Sequence, residues 1–272
     1  MIVRKADDTA KIHLSEITSV TLGTNRVYLS AYLLSELAKN KISLVVSDEK
    51  HNPIGQYLPL YGAHKTSKRI AEQMEWGQPI KKRVWQHIVK DKIHQQARLL
   101  EERDEEVKAK KLYECAKEVR SGDTTNREAQ AARVYFSGLF GDWFNRDLNC
   151  PLNGALDYGY AVLLSMVNRE IISRGYLTQS GINHRNEYNQ FNFSCDLMEP
   201  FRPAVDQLVF DNFSEELDED LRLVLADLAN KGISYRGGSY RLVSVVSLYI
   251  QDCLNALNRE IGVDDIEGFE IL

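Results

Sequence analysis

The sequence predicts an α+β fold, with a small β-rich N-terminal domain at residues 1–62, a linker at 63–79 and a larger all-α domain at 80–272. Three observations support this division. Short runs of β-branched residues fill the first sixty positions, and the composition changes near Gly62. From about residue 80, apolar residues recur with the spacing of helices. A length of 272 residues suffices for one large or two modest domains.

The N-terminal elements follow from local signals. The predicted elements are strands at 11–14 and 17–22, a helix from Ser30 to about Asn40, a strand at 42–47, a turn at 48–53 and a strand at 54–58. The hydroxyl of Ser30 is a suitable helix cap. Strand, helix and strand at this spacing indicate one crossover unit. So small a sheet needs another segment, the second domain or a second copy of the chain to cover its open face.

The rest of the chain reads as helices. They are predicted from about 80 to 100, 107 to 120, from a start near Glu128, and over 155–174, 213–231 and 239–259. The helix at 155–174 is apolar on most sides and stops at Gly175, so we expect it to be the central buried helix. Gly159 within it indicates a close helix–helix contact.

Charge and cysteine content narrow the class of protein. The net charge of −5 is uneven, at +2 over residues 1–75, +1 over 76–210 and −8 over 211–272, so basic patches for nucleic acid remain possible outside the tail. No signal peptide and no apolar run long enough for a membrane span is present, which predicts a cytoplasmic protein that does not contact membranes. The four dispersed cysteines predict reduced thiols rather than a disulfide framework or zinc knuckle.

Glu128 is the first candidate site residue. It lies in the first turn of a helix that Thr125 or Asn126 is placed to cap, where the helix dipole favours a carboxylate. A capping role alone would explain it. Two features favour a functional role instead. Small alanines surround it, which allows other backbone to approach, and the helix continues into an aromatic stripe that would hold the carboxylate rigidly.

A polar, irregular stretch at 176–193 lies between two predicted core helices and contains His184; long loops inside compact domains are often functional. Asp196 and Glu199 follow, three residues apart on one helical face. One imidazole with two or three carboxylates suits Mg²⁺ or Mn²⁺ better than structural Zn²⁺. The alternatives are a hydrogen-bonded loop histidine, an N-cap role for Asp196 and a Glu199–Arg202 pair. Gly-rich phosphate loops and nucleophile motifs are absent from the sequence.

These residues, in this order, resemble a known family. The matching stretches are 126–136 (NREAQAARVYF), 153–160 (NGALDYGY), His184 and 196–203 (DLMEPFRP), with 13–17 (HLSEI) and 48–53 (DEKHNP) in the front part. They are similar to the CRISPR-associated spacer-acquisition integrase, the universal adaptation endonuclease, in its type II-like branch. The resemblance extends over nearly the whole chain.

The resemblance implies a catalytic role for the helical domain and a homodimer formed through the N-terminal domains. It also implies as partners double-stranded DNA (prespacer and leader-repeat), the small companion dimer of the adaptation complex and other type II adaptation proteins. The family's catalytic metal ligands correspond to Glu128, His184 and Glu199, holding Mg²⁺ or Mn²⁺, and Asp196 corresponds to an acidic position of variable role. Ala129 stands where the family commonly has Gly, and the family usually begins with a further strand pair, so a late or truncated start is one expectation.

The implied activity is that of a metal-dependent DNA endonuclease and integrase, which inserts foreign DNA fragments into a CRISPR array by 3′-hydroxyl transesterification. Arginines match phosphate geometry with two donors, so four of them are candidates for holding DNA. These are Arg127, Arg133, Arg146 and Arg185. The competing hypothesis is a non-catalytic DNA-binding or structural subunit of the adaptation complex. We further expect loss of a ligand side chain to abolish catalysis, and Asp196→Ala to be milder.

Overall fold

The computed structural model describes residues 1–4, 8–48, 53–60 and 63–272. The front of the chain carries short strands and one helix. These elements are β1 (Ile2–Arg4), β2 (Thr9–Lys11), β3 (Ser19–Leu22), α1 (Ala31–Lys39), β4 (Ser43–Ser47) and β5 (Pro53–Tyr57). Strands β1 and β2 form an antiparallel hairpin, and a separate sheet has the order β3-β4-β5.

The crossover unit is confirmed, since β3 and β4 pair in parallel and α1 connects them. The Ser30 hydroxyl caps α1 by accepting a hydrogen bond from the Leu33 amide at 3.1 Å. The core of this part is small and centres on Leu37, Ile42 and Leu44. The predicted strand at 11–14 is wrong beyond Lys11, because residues Leu14–Glu16 form a 3-10 turn. Residues 49–52 of the predicted turn lie outside the described residues.

The remainder is mainly helical, and the predicted α+β class is confirmed. Its helices are α2 (Thr66–Glu75), α3 (Gln78–Glu101), α4 (Glu106–Lys117), α5 (Arg127–Phe140), α6 (Pro151–Ser173), α7 (Asn192–Met198), α8 (Arg202–Asn212), α9 (Glu219–Ala226) and α10 (Leu242–Leu257). In the described ranges, no helix is both long and apolar enough to cross a membrane.

Helix α6 is the central buried helix, as predicted, and packs against α7, α8, α9 and α10. Gly159 is required there, because a Cβ atom at this position would lie 2.4 Å from Val205 Cγ1 of α8. Gly175 ends the helix with φ of 84°, a conformation that glycine adopts without strain. The close helix–helix contact predicted at Gly159 is therefore confirmed.

Two parts of the helical region differ from the sequence-based expectation. The predicted helix at 213–231 begins only at Glu219, because the Asp218 carboxylate caps α9 by accepting from the Leu221 amide at 2.8 Å. A small antiparallel sheet, not predicted, has the order β7-β6-β8. Its strands are β6 (Gly232–Tyr235), β7 (Gly238–Arg241) and β8 (Phe269–Ile271). They are too short to give a clear alternating pattern in the sequence.

The stretch predicted as a linker, 63–79, contains helix α2, and the positions of the domain boundaries stay a prediction. Gln73 of α2 is fully buried. Its amide nitrogen donates to the carbonyls of Leu177 and Ser180, and its amide oxygen accepts from the Leu177 backbone N–H at 2.8 Å. Helix α2 therefore holds the loop that leads towards His184.

Candidate functional site

Glu128 lies in the first turn of α5, and a residue that the sequence analysis missed caps that turn. Asp123 accepts hydrogen bonds from the backbone amides of Arg127 at 2.8 Å and Glu128 at 3.0 Å. Asn126 occupies the N-cap position with φ of 53° and makes no side-chain cap. The predicted cap by Thr125 or Asn126 is thus wrong, because the left-handed backbone at Asn126 brings the chain back over the Asp123 carboxylate.

Glu199 begins a 3-10 turn (Glu199–Phe201) between α7 and α8, and its side chain is only 4% exposed. Arg202 Nε donates to Glu199 Oε1 at 2.9 Å, so the pair proposed from the sequence is present. Burial by itself raises the pKa of Glu199, but the positive charges of Arg202 and Lys92 outweigh it and bring the pKa to about 2. Glu199 is therefore a firmly ionised carboxylate in a buried position.

Lys92 joins the two carboxylates, and the sequence analysis missed it. Its ammonium lies 2.7 Å from Glu128 Oε1 and 2.6 Å from Glu199 Oε2. Burial by itself lowers the pKa of Lys92, whereas Glu199 and Glu128 raise it, and the net pKa lies above its ordinary value. A lysine on the buried stripe of α3, one turn after Ile88, is the sequence signal that would have identified it.

His184 is held by Asp196. The Asp196 carboxylate has no solvent exposure and accepts from the backbone amides of Ile182, Asn183 and His184, and its Oδ1 lies 2.7 Å from His184 Nδ1. The N-cap interpretation of Asp196 is wrong, because the residue lies inside α7 and its side chain organises the preceding loop. Gly181 makes room for this arrangement, since a Cβ atom there would lie 2.8 Å from Asp196 Oδ2.

The orientation of His184 leaves its second nitrogen available. Because Nδ1 faces Asp196, Nε2 has no hydrogen-bond partner among the described residues, and the side chain is 40% exposed. The ring meets the edge of Trp85 at a centroid distance of 5.7 Å. The hydrogen bond to Asp196 raises the pKa of His184 against the effect of burial, and the charges of Glu199 and Glu128 act in the same direction. All three predicted ligands are thus electrostatically coupled.

The predicted ligands do not come together closely as they stand. Over residues 1–4, 8–48, 53–60 and 63–272, no three His, Cys, Asp or Glu side chains come close enough together to hold one. The donor chemistry nevertheless fits a divalent cation. Glu128 Oε1 and Glu199 Oε2 lie within about 5.3 Å of each other across one ammonium group. Glu199 Oε2 is also buried, and the Lys92 ammonium contacts it at 2.6 Å.

The candidate arginines divide into two groups. Arg185 is exposed beside His184 and lines, with Lys81, a polar cavity of about 430 Å³. Burial, and to a smaller extent the charge of Arg185, lower the pKa of Lys81, so two cations share this cavity. Arg133 is also exposed, but it lines a different cavity between α4 and α5.

The other two arginines pair with carboxylates. Arg127 Nη2 lies 2.6 Å from Glu118 Oε2, and Arg146 pairs with Asp157. Of the four candidate arginines, Arg185 is therefore the one that shares a cavity with a predicted ligand.

Asp206 and two tyrosines form a buried polar cluster beside Arg202, the residue that pairs with Glu199. Asp206 accepts hydrogen bonds from the hydroxyls of Tyr135, at 2.8 Å, and Tyr160. The Arg202 guanidinium lies over the Tyr160 ring at 4.6 Å from its centroid. Burial raises the pKa of Asp206 to about 6 although both tyrosines lower it. Asp206 and Tyr160 thereby fix the arginine that pairs with Glu199.

Comparisons with known proteins agree on one family. The sequence model of the family "CRISPR associated protein Cas1" matches residues 1–220. The chain is 40% identical over 209 residues to the CRISPR-associated endonuclease Cas1 of Neisseria meningitidis serogroup C (strain 8013), covering 77% of this chain and 69% of that protein.

Solved structures share the fold. A Cas1 protein from Thermotoga maritima superposes with a TM-score of 0.73 at 17% identity, covering 94% of this chain and 91% of the other. A casposase bound to integration product gives a TM-score of 0.70 at 18% identity, covering 90% of this chain and 80% of the other.

Proposed function

Since the chain belongs to the family of CRISPR-associated protein Cas1, we propose that it is a divalent-metal-dependent DNA endonuclease and integrase that inserts foreign DNA fragments into a CRISPR array. One observation carries the proposal. Glu128 and Glu199, which belong to separate elements, both contact the Lys92 ammonium, and the charges of both carboxylates act on His184 of the loop before α7. A buried and a half-buried carboxylate converging in this way are costly for the fold and are typical of functional sites.

Glu128, Glu199 and Nε2 of His184 would hold Mg²⁺ or Mn²⁺, ions that accept oxygen-rich ligand sets. When bound, such an ion polarises a phosphoryl oxygen and lowers the pKa of an attacking hydroxyl. Asp196 fixes the His184 tautomer by accepting from Nδ1–H, and Arg202 keeps Glu199 ionised.

The proposed reaction is a transesterification. A 3′-hydroxyl of the incoming fragment attacks a phosphodiester at the edge of a CRISPR repeat, a new O–P bond forms, and the bond to the departing 3′-oxygen breaks. The attacking oxygen loses its proton and the departing oxygen gains one, so no energy-rich cofactor is consumed. Arg185 and Lys81 would hold phosphates of the DNA beside the reacting group.

The proposal includes the partners implied by the family. These are double-stranded DNA, a second copy of this chain and the small companion dimer. The small hydrophobic cluster of the N-terminal part, with Tyr28, Tyr32, Ile54 and Leu60 exposed nearby in sequence, supports a role for that part in assembly.

A strand-transfer assay tests the function. A fragment with free 3′-hydroxyls and a supercoiled plasmid carrying a leader and repeat are incubated with the chain and its companion protein, in Mg²⁺ or Mn²⁺ and in chelator. We expect metal-dependent transfer, none with 3′-deoxy ends, and a loss of about 100-fold or more for Glu128→Gln, as expected for about 3 kcal/mol of transition-state stabilisation. The exposed Glu215→Gln is the matched control. Full transfer by Glu128→Gln would overturn the assignment.

One observation favours the second candidate, a non-catalytic DNA-binding or structural subunit. A lysine already compensates both carboxylates, as a permanent salt bridge would. Under this alternative, the chain binds DNA and its companion protein normally but gives no transfer product with any divalent metal. The same assay, with DNA binding measured in parallel, separates the two candidates.

A further inference from the structure

We propose that Lys92 is a positioning residue that acts as a built-in cation: it holds Glu128 and Glu199 ready for the metal, and the metal displaces it. This inference rests on the proposed function, since it requires that the site binds a divalent ion. It concerns a residue outside the predicted ligand set of Glu128, His184 and Glu199.

The ammonium lies between the two carboxylates that would hold the ion. Nζ is 2.7 Å from one carboxylate oxygen and 2.6 Å from the other, and it lies on α3, an element that supplies none of the predicted ligands. Mg²⁺ and Ca²⁺ bind carboxylate oxygens at about 2.0–2.6 Å, so an ion bound between the same two oxygens cannot leave the ammonium in place.

The charges explain why a cation is needed before the metal arrives. Glu199 is 4% exposed and Glu128 is 23% exposed, and like charges held this close in a buried setting repel. Arg202 compensates Glu199 through its other oxygen, Oε1, and the ion pairs of the described residues include none between Arg202 and Glu128. Lys92 is the group that keeps the two carboxylates together.

The side chain is also suited to leave. Four methylene groups separate the ammonium from α3, so displacement of Nζ requires rotation about the bonds of this buried side chain and not a shift of the helix. Its contact with Glu199 Oε2, at 2.6 Å, is a salt bridge to one oxygen of a carboxylate whose other oxygen already pairs with Arg202.

Calorimetric titration with Mn²⁺ at pH 8, without DNA, tests the inference on the intact chain. Lys92→Met removes the charge and keeps most of the volume, Lys92→Arg keeps a cation, and Lys90→Met is the matched control on the same helix. We expect Lys92→Met to bind Mn²⁺ about tenfold tighter or more, because the metal no longer competes with an ammonium. We also expect it to melt at a lower temperature in chelator and to gain more from saturating Mn²⁺ than the wild type. Lys92→Arg and Lys90→Met should bind more like the wild type.

The outcomes separate this inference from the proposed function. Equal or weaker Mn²⁺ binding by Lys92→Met, with a wild type that binds, would overturn the inference and leave the function standing. If neither protein binds Mn²⁺, both fail.

If Lys92→Met does not fold, the lysine side-chain ¹⁵N resonances of the wild type provide the second test. The signal of Lys92, assigned through Lys92→Arg, should shift and lose its protection from solvent exchange when Mg²⁺ is added. A signal that stays unchanged at saturating Mg²⁺ would show that the ammonium has not moved.

Discussion

The carboxylate half of the site and the histidine half are held by different kinds of contact. Glu128 and Glu199 are held by the charges of Lys92 and Arg202, through side chains that can move. The loop carrying His184 is held through its backbone, by hydrogen bonds to the fully buried Asp196 and Gln73. The difference indicates that the loop carrying His184 is fixed in position before a cation binds, whereas cation binding changes the contacts of the two carboxylates.

The largest expected effect falls on the histidine half. Asp196→Ala leaves three backbone amides without their acceptor in a buried loop, and it removes the partner of His184. We expect a loss of roughly 3–5 kcal/mol in the free energy of unfolding, measured in urea, together with loss of strand transfer. The sequence alone led us to expect a milder effect. An unfolding free energy within 1 kcal/mol of wild type would contradict the claim that Asp196 fixes the His184 loop.

Gln73→Leu tests whether α2 also holds the backbone of the His184 loop. The substitution removes three hydrogen bonds to residues 177 and 180 without touching any predicted ligand. We expect a loss of about 2–3 kcal/mol in unfolding free energy and faster amide exchange over residues 177–184. The exposed Gln190→Leu serves as the control. Amide exchange at 177–184 that remains slow would show that α2 does not support the loop.

The pH dependence of the unfolding free energy tests the buried state of Asp206, which lies beside the Glu199–Arg202 pair. Its pKa in the folded protein is about 6, above its ordinary value of 3.8, so the folded protein holds this proton more tightly than the unfolded chain. Its contribution to stability therefore falls as pH rises from about 4 to about 6 and is constant above. Asp206→Asn lacks this titration, and its unfolding free energy relative to wild type should rise by roughly 2–3 kcal/mol across that window. A constant difference would argue against a buried, protonatable Asp206.

The smallest effect is expected at the outer edge of the histidine half. Arg185 shares its cavity with Lys81 and His184, whereas Arg133 lines another cavity. Arg185→Ala should weaken DNA binding and reduce the slope of log affinity against log salt by about 1. Arg133→Ala should change the slope less if DNA follows the His184 cavity. Equal slopes for both variants would remove the distinction between these two surfaces.

The sequence predicted the parts of the fold that depend on local pattern. Helix α6 was predicted from its apolar residues and its glycine stop, and the β3–α1–β4 crossover from the Ser30 cap and the apolar strand at 42–47. The short strands β6, β7 and β8 were missed, because strands of three or four residues carry too little periodicity.

The contacts at the site depend on tertiary packing, which the local pattern does not contain. Glu128, His184 and Glu199 were candidates from their local setting, and the family resemblance joined them into one ligand set, since spacing alone could not bring positions 128, 184 and 199 together. Lys92 was missed because its partners lie 36 and 107 positions away, so the helix pattern around it carries no sign of the pairing. Asp123 was missed because the cap depends on the left-handed backbone of Asn126.

The most direct test of the central claim is a crystal structure of the chain grown with Mn²⁺, with the ion located by its anomalous scattering. The account predicts one Mn²⁺ bonded to Glu128, Glu199 and Nε2 of His184, with Lys92 Nζ moved out from between the two carboxylates. A structure at saturating Mn²⁺ in which Lys92 still bridges both carboxylates, and no anomalous peak lies beside them, would contradict it.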